Sequence, residues 1–194
     1  MNPLYRVARP IAVLAALAAV AGIGLGIAIE ATATDEAAMA SPLAVAAMCA
    51  SLAGLVGLVI ALAGLAAAPN SPRGSLGTAA LVLGLCGATL TAGSAWGGLV
   101  LAPWFATQLP AGITPPETVL IASALSYALL GVGAVLLAVS LRRERLAPGW
   151  LVALLIVAGI LCVPPLLPAR YTLVVVAVAA LLVRRAPHDQ IAVA

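Results

Sequence analysis

Charged positions cut this chain into long apolar stretches. Twenty uncharged residues separate Arg9 from Glu30, 36 separate Glu36 from Arg73, and 43 separate Arg73 from Glu117. Two further stretches of 24 residues run from Glu117 to Arg142 and from Arg145 to Arg170, and a last one of 13 from Arg170 to Arg184. A helix needs about 20 apolar residues to cross a hydrocarbon core of about 30 Å. The pattern predicts an all-α, polytopic transmembrane helix bundle in one domain covering 1–194, with about six spans near 10–29, 42–68, 76–101, 118–141, 149–163 and 168–183.

Local signals place the ends of these spans. Pro10 suits the first turn of span 1. The run Pro69-Asn70-Ser71-Pro72-Arg73-Gly74 stops span 2, and span 3 ends near Pro103. The longest loop, Ala102 to Glu117, is mostly apolar and holds Trp104, an interfacial anchor type. Span 5 starts near Pro148-Gly149-Trp150 and breaks before Pro164-Pro165. Spans 5 and 6 are short, at roughly 24–27 Å of helix. A re-entrant hairpin is the rival reading there. It would leave Arg170 near the bilayer centre, at about 2.5–3.5 kcal/mol on insertion scales, so two full spans are favoured. Span 1 has its own rival, a cleaved signal peptide, because Ala31-Thr32-Ala33 and Ala38-Met39-Ala40 have small residues at cleavage spacing. The apolar run exceeds the roughly 7–15 residues of a signal core.

Composition supports the same class. Of 194 residues, 64% are hydrophobic and 8% charged, with a mean hydropathy of +1.22. Soluble domains carry about 25% charged residues. All nine basic residues are arginine, and eight of them fall in segments that share one side if the N-terminus is cytoplasmic: Arg6, Arg9, Arg73, Arg142, Arg143, Arg145, Arg184 and Arg185. Only Arg170 falls on the other side, with four of the six acids, Glu30, Asp35, Glu36 and Glu117. This arginine bias predicts that both termini are cytoplasmic. The net charge of +3 does not point to nucleic acid, since the arginines form no basic face and no aromatics interleave them.

Two sequence matches hint at a repeated hairpin in parallel orientation. Spans 1 and 3 align at an offset of 71, putting Gly22 on Gly93 and Gly26 on Gly97. Spans 2 and 4 align at 76, putting Gly57 on Gly133. The pairs Gly22/Gly26 and Gly93/Gly97 each place two small residues on one helix face, where backbones approach closely and gain dispersion contacts. They are helix-packing candidates, within the bundle or against another subunit. Thr91 and Ser94 of span 3, with Ser123 and Tyr127 of span 4, could surround a small polar cavity. The plainer alternative is that serine and threonine bond the carbonyls of their own helices.

The residue types for catalysis are missing from the spans. No Asp, Glu, Lys, Arg, His, Asn or Gln sits well inside any of them, which disfavours proton-coupled transport. The single histidine, His188, is in the C-terminal tail beside Asp189, so an intramembrane serine hydrolase lacks its base. Cys49, Cys86 and Cys162 are isolated, without the spacing of a zinc or redox pair, although a Cys49–Cys162 bridge is conceivable. No catalytic residue, no metal site and no cofactor is expected.

The stretch from Gly77 to Leu161 carries Gly84, Gly87, Gly93-x-x-Trp96, Pro103, Leu141-Arg142-Arg143, Pro148, Trp150 and Leu154-Leu155-Ile156-Val157. It resembles small polytopic membrane proteins of high-GC bacteria for which no activity is known. The resemblance implies a style of fold and a bacterial inner (plasma) membrane location, and it transfers no site residue.

Three functional expectations follow. The first is a non-enzymatic accessory or scaffold subunit working through helix packing, with the lipid bilayer and a membrane-protein partner or second copy as its contacts. The second is a small carrier or binder of an apolar or lipid-like ligand near Tyr127 and Trp96. The third, an enzyme at the outer face, would need Glu30, Asp35, Glu36 and Glu117 to converge.

Overall fold

The computed structural model describes residues 3–32, 41–69, 71–72, 74–108, 117–162 and 171–184, with backbone alone for Glu30, Thr32, 101–108 and 117–120. Among them are six α-helices and no strand: α1 (Pro3–Thr32), α2 (Pro42–Ala66), α3 (Ser75–Gln108), α4 (Glu117–Arg143), α5 (Gly149–Cys162) and α6 (Thr172–Arg184). The four long helices are apolar and long enough to cross a membrane, whereas α5 and α6 are shorter, at 14 and 13 residues.

Element ends differ from the sequence reading where packing outweighs local signals. Helix α1 starts at Pro3, leaving Pro10 inside the helix. Pro3 takes the first-turn role expected of Pro10, and the added turns are held because Tyr5 and Ala8 are buried in the bundle. Helix α3 continues past Pro103 to Gln108. Other ends follow local chemistry. The Ser41 side chain accepts a bond from the Ala44 N–H at 3.2 Å, with Pro42 opening α2. Gly74, at φ +95, precedes α3 in a left-handed conformation that a side chain would strain. After α4, Arg145 takes φ 54, and the Leu146 N–H reaches back to the Leu141 carbonyl at 2.9 Å. That bond closes a Schellman end.

Helices adjacent in sequence pack side by side from α1 to α6, and α6 also packs on α1 and α2. Helices α2 to α6 therefore close a ring, with α1 lying across α2 and α6. Large buried side chains fill its centre, among them Leu55, Leu58, Leu130, Leu141, Leu155, Val178 and Leu181.

Glycine contacts fix the register. Gly54 lies against Ala19, Gly57 against Ala15 and Gly64 against Ala8, an antiparallel seam of small residues between α2 and α1. In the second hairpin Gly87 lies against Leu130 and Gly133 against Gly84. Gly57 and Gly133, aligned at the offset of 76, thus both sit in the seams of their hairpins. Gly22 and Gly93, aligned at 71, do not match: Gly22 is covered by Ser51, and Gly93 has nothing within 4 Å.

The described parts of α5 and α6 stop short of the far end. Gly159 of α5 lies against Gly131 and Val135 of α4, and Tyr171, just before α6, reaches Ser51 of α2. About 14 Å of α2 and about 15 Å of α1 extend beyond that level at 1.5 Å per residue. The bundle therefore has an arginine end, holding Arg6, Arg9, Arg142, Arg143, Arg145 and Arg184, and a far end that the described parts of α5 and α6 do not reach. Toward the far end burial falls away. No residue is buried in 23–29 of α1, 93–100 of α3 or 121–125 of α4.

Candidate functional site

Three helices meet where α6 begins. The Tyr171 ring is buried, and its hydroxyl donates to the backbone carbonyl of Ser51 at 3.2 Å. The Ser51 hydroxyl in turn faces Gly22 of α1, where an added Cβ would come within 2.8 Å of it. Only glycine leaves that hydroxyl its place. The Tyr171 carbonyl accepts from the Val175 N–H at 3.0 Å and starts the ladder of α6. Thr172, the first helical residue, is 4% exposed, and its hydroxyl has no hydrogen-bond partner among the described residues. Tyr127 of α4 is half-buried against the core. The junction offers hydroxyls and the positive end of a helix dipole. Among the described residues it holds no carboxylate, imidazole or guanidinium.

These two neighbours have opposite energetic signs. Tyr171→Phe removes an interhelical bond and costs about 0.6 kcal/mol, up to about 1.7, as such bonds do in membrane proteins. Thr172→Val removes a buried hydroxyl that bonds no described residue and gains about 1 kcal/mol. Denaturation in mixed detergent–SDS micelles should therefore shift to lower SDS for the first and higher SDS for the second. A shift to lower SDS for Thr172→Val would mean that its hydroxyl does have a partner.

Of the four residues expected to line a cavity, the α3–α4 register brings Ser94 level with Ser123, while Tyr127 adjoins Ser126, which lies level with Thr91. Their bonds are local. The buried Thr91 hydroxyl donates to the Gly87 carbonyl at 2.7 Å, and Ser126 to the Ala122 carbonyl at 2.8 Å. Each is satisfied on its own helix. Ser94 is exposed, while Ser123 and Tyr127 are half-buried.

The glycine tetrads divide in a similar way. Gly22 is covered by α2, whereas Gly26, Gly93 and Gly97 have no atom of the chain's described residues within 4 Å, and neither do Gly24 and Gly98. The seams are built instead on Gly54, Gly57, Gly64, Gly87, Gly133 and Gly159. The three cysteines are free, Cys49 and Cys86 exposed and Cys162 buried. Among the described residues no group of His, Cys, Asp and Glu is arranged to hold a metal. Asp35, Glu36, Arg73, Arg170, His188 and Asp189 lie outside the described residues, as do the side chains of Glu30 and Glu117.

No family model, curated protein or solved structure matches this chain. A functional reading therefore stands on its own geometry. Sequence reasoning missed the Tyr171–Ser51 link, which joins residues 120 positions apart and leaves no local signal. It also favoured the four-residue glycine spacing over the three- and seven-residue spacing of Gly54, Gly57 and Gly64 that builds the α1–α2 seam.

Proposed function

We propose that this chain is a non-enzymatic, multi-pass protein of the bacterial inner membrane, acting through helix packing as an accessory or scaffold subunit. The four long helices cross the bilayer, and the α5–α6 hairpin enters from the arginine end. Both termini are cytoplasmic, a reading supported by the arginines at one end of the described helices. Burial of most of α6 supports a helix start below the far end, because backbone that stops within the membrane needs protein around it.

One observation carries the functional reading. Gly93 and Gly97 lie one turn apart on α3, bare of any described neighbour, in a stretch without a buried residue. Gly54, Gly57, Gly64, Gly87 and Gly133, by contrast, are covered by a facing helix. A transmembrane helix of another protein is the occupant such a face suits, because close approach of backbones supplies contacts that lipid chains do not match.

Native mass spectrometry after extraction in mild detergent tests this. The unmodified chain should carry a stoichiometric membrane-protein partner, and Gly93→Leu with Gly97→Leu should lose it without lowering the resistance of the chain itself to SDS. A fully active, partner-free monomer would sink the proposal. A bound lipid with no protein would favour the second reading, a carrier or binder of a lipid-like ligand. That reading draws on the far end that the described parts of α5 and α6 do not reach and on Trp96, which is 56% exposed beside the low-burial halves of α3 and α4.

A further inference from the structure

At the arginine end, α1 and α6 lie side by side and run in opposite directions. Gly22 and Tyr171 are both level with Ser51. Equal stretches of helix lead from Gly22 back to Arg9 and from Tyr171 on to Arg184, so these two cations are level across the α1–α6 seam. Arg6 is one turn further along α1.

Arg9 is half-buried between Ala8 and Ala12, which are fully buried. Its Nε is inaccessible and has no hydrogen-bond partner among the described residues. A buried guanidinium donor without an acceptor is costly, more so for a charged group than a neutral one. Neither Arg6, Arg9 nor Arg184 has an ion-pair partner among the described residues. The one described acid at this end, Glu144 on the α4 side, accepts from Ser140 at 3.2 Å.

We propose that Arg9, with Arg184 and Arg6 beside it, binds the phosphate of an anionic phospholipid in the leaflet at the arginine end. The planar guanidinium presents Nε and Nη in a fork that matches two phosphate oxygens. Three cations in one seam select a headgroup of net negative charge over a zwitterionic one. The surroundings favour a lipid over a free ion. On the flank of α1 next to Arg9, Val13 is 40% exposed and Leu17 63%, and Val183 beside Arg184 is 45% exposed, an apolar surface on which acyl chains can lie. The site rests on the chain's residence in a bilayer and is independent of whether α3 holds a partner.

Binding can be read on the purified full-length chain by native mass spectrometry and melting temperature, with added phosphatidylglycerol, phosphatidylcholine or inorganic phosphate. Phosphatidylglycerol should be retained and should raise the melting temperature, while phosphatidylcholine should do neither. Arg9→Gln should weaken phosphatidylglycerol binding about tenfold, the scale of a lost charge-assisted bond. Arg9→Lys, which keeps the charge and loses the fork, should fall between, and Arg143→Gln on α4 should behave as the unmodified chain. Should Arg9→Gln fail to fold, Arg184→Gln is the second variant, with weaker phosphatidylglycerol binding expected. Equal retention of the two lipids, or equal loss in Arg9→Gln and Arg143→Gln, would overturn the site. A shift reproduced by inorganic phosphate alone would overturn its assignment to a lipid. Loss of the α3 partner in the preceding experiment leaves each of these readouts intact.

Discussion

Gly133→Ala should lower the SDS fraction at which the bundle unfolds by more than a methyl added at Gly54, Gly57, Gly64 or Gly159, and by about as much as Gly87→Ala. The reason is what the new Cβ would meet. At Gly133 it would come within 2.5 Å of the Gly84 nitrogen and 2.7 Å of the Gly84 Cα. At Gly87 it would meet the Leu130 backbone nitrogen, with the Leu130 Cα at 2.7 Å and the Leu129 carbonyl carbon at 2.9 Å. These obstacles are backbone atoms of the facing helix, so no rotamer change relieves them and α3 must move away from α4. Overpacking costs about 1–3 kcal/mol, occasionally more, and backbone contact puts both substitutions at the upper end. The helix-propensity gain of alanine over glycine, about 1 kcal/mol, offsets part of this. A net loss of about 2 kcal/mol is expected for each. Gly93→Ala is the control, because with open space at its Cβ it keeps the propensity gain alone. If Gly133→Ala resisted SDS as well as Gly93→Ala, the close α3–α4 approach would be wrong.

The asymmetry between these glycines marks what could be read in the sequence. Helices were legible because long apolar runs end at charges, prolines and glycines, as at Ser41-Pro42 and Gly74. Packing faces were not. In a chain whose exterior and interior are both apolar, hydrophobicity does not distinguish the side of a helix that meets lipid from the side that meets protein. Val174 and Val178 of α6 are buried while Leu14 and Leu17 of α1 are exposed, and nothing in their residue types separates them. Glycine was the one available marker, and it is ambiguous for the same reason. Gly57 and Gly93 read alike until the facing helix is known.

Depth was hidden too. The apolar stretch around α6 is consistent with a short span ending level with the others. Its described part begins beside a long-range bond from Tyr171 to Ser51, which no local pattern encodes. Pro10 shows the same limit at the other end. As a local signal it begins a helix, but the burial of Tyr5 and Ala8 carries α1 back to Pro3. The junction at Tyr171 and the cation seam at Arg9 both follow from where α6 lies, so neither is legible in the residue pattern alone.

A methyl moved across the α1–α2 seam should leave the bundle intact, although the same methyl added without the exchange damages it. At Gly57 an added Cβ would collide with the Ala15 Cβ, with the Ala15 Cα at 3.3 Å and the Ile11 carbonyl oxygen at 3.6 Å. The nearest obstacle is another methyl, which a second substitution removes. Gly57→Ala alone should cost about 1–2 kcal/mol as overpacking. Ala15→Gly alone should cost about 1 kcal/mol through helix propensity. Together they restore one methyl in the gap, so the double variant should be more stable than the sum of the two losses, with a coupling of at least about 1 kcal/mol. Gly57→Leu is the stronger challenge, because its side chain exceeds the space that Ala15→Gly frees. It should prise α1 from α2 and abolish recovery of folded protein in either background. Strict additivity of Gly57→Ala and Ala15→Gly would mean that the two positions do not touch. Rescue of Gly57→Ala together with failure of Gly57→Leu would locate the contact to within one methyl group, a resolution that loss of stability in a single variant cannot supply.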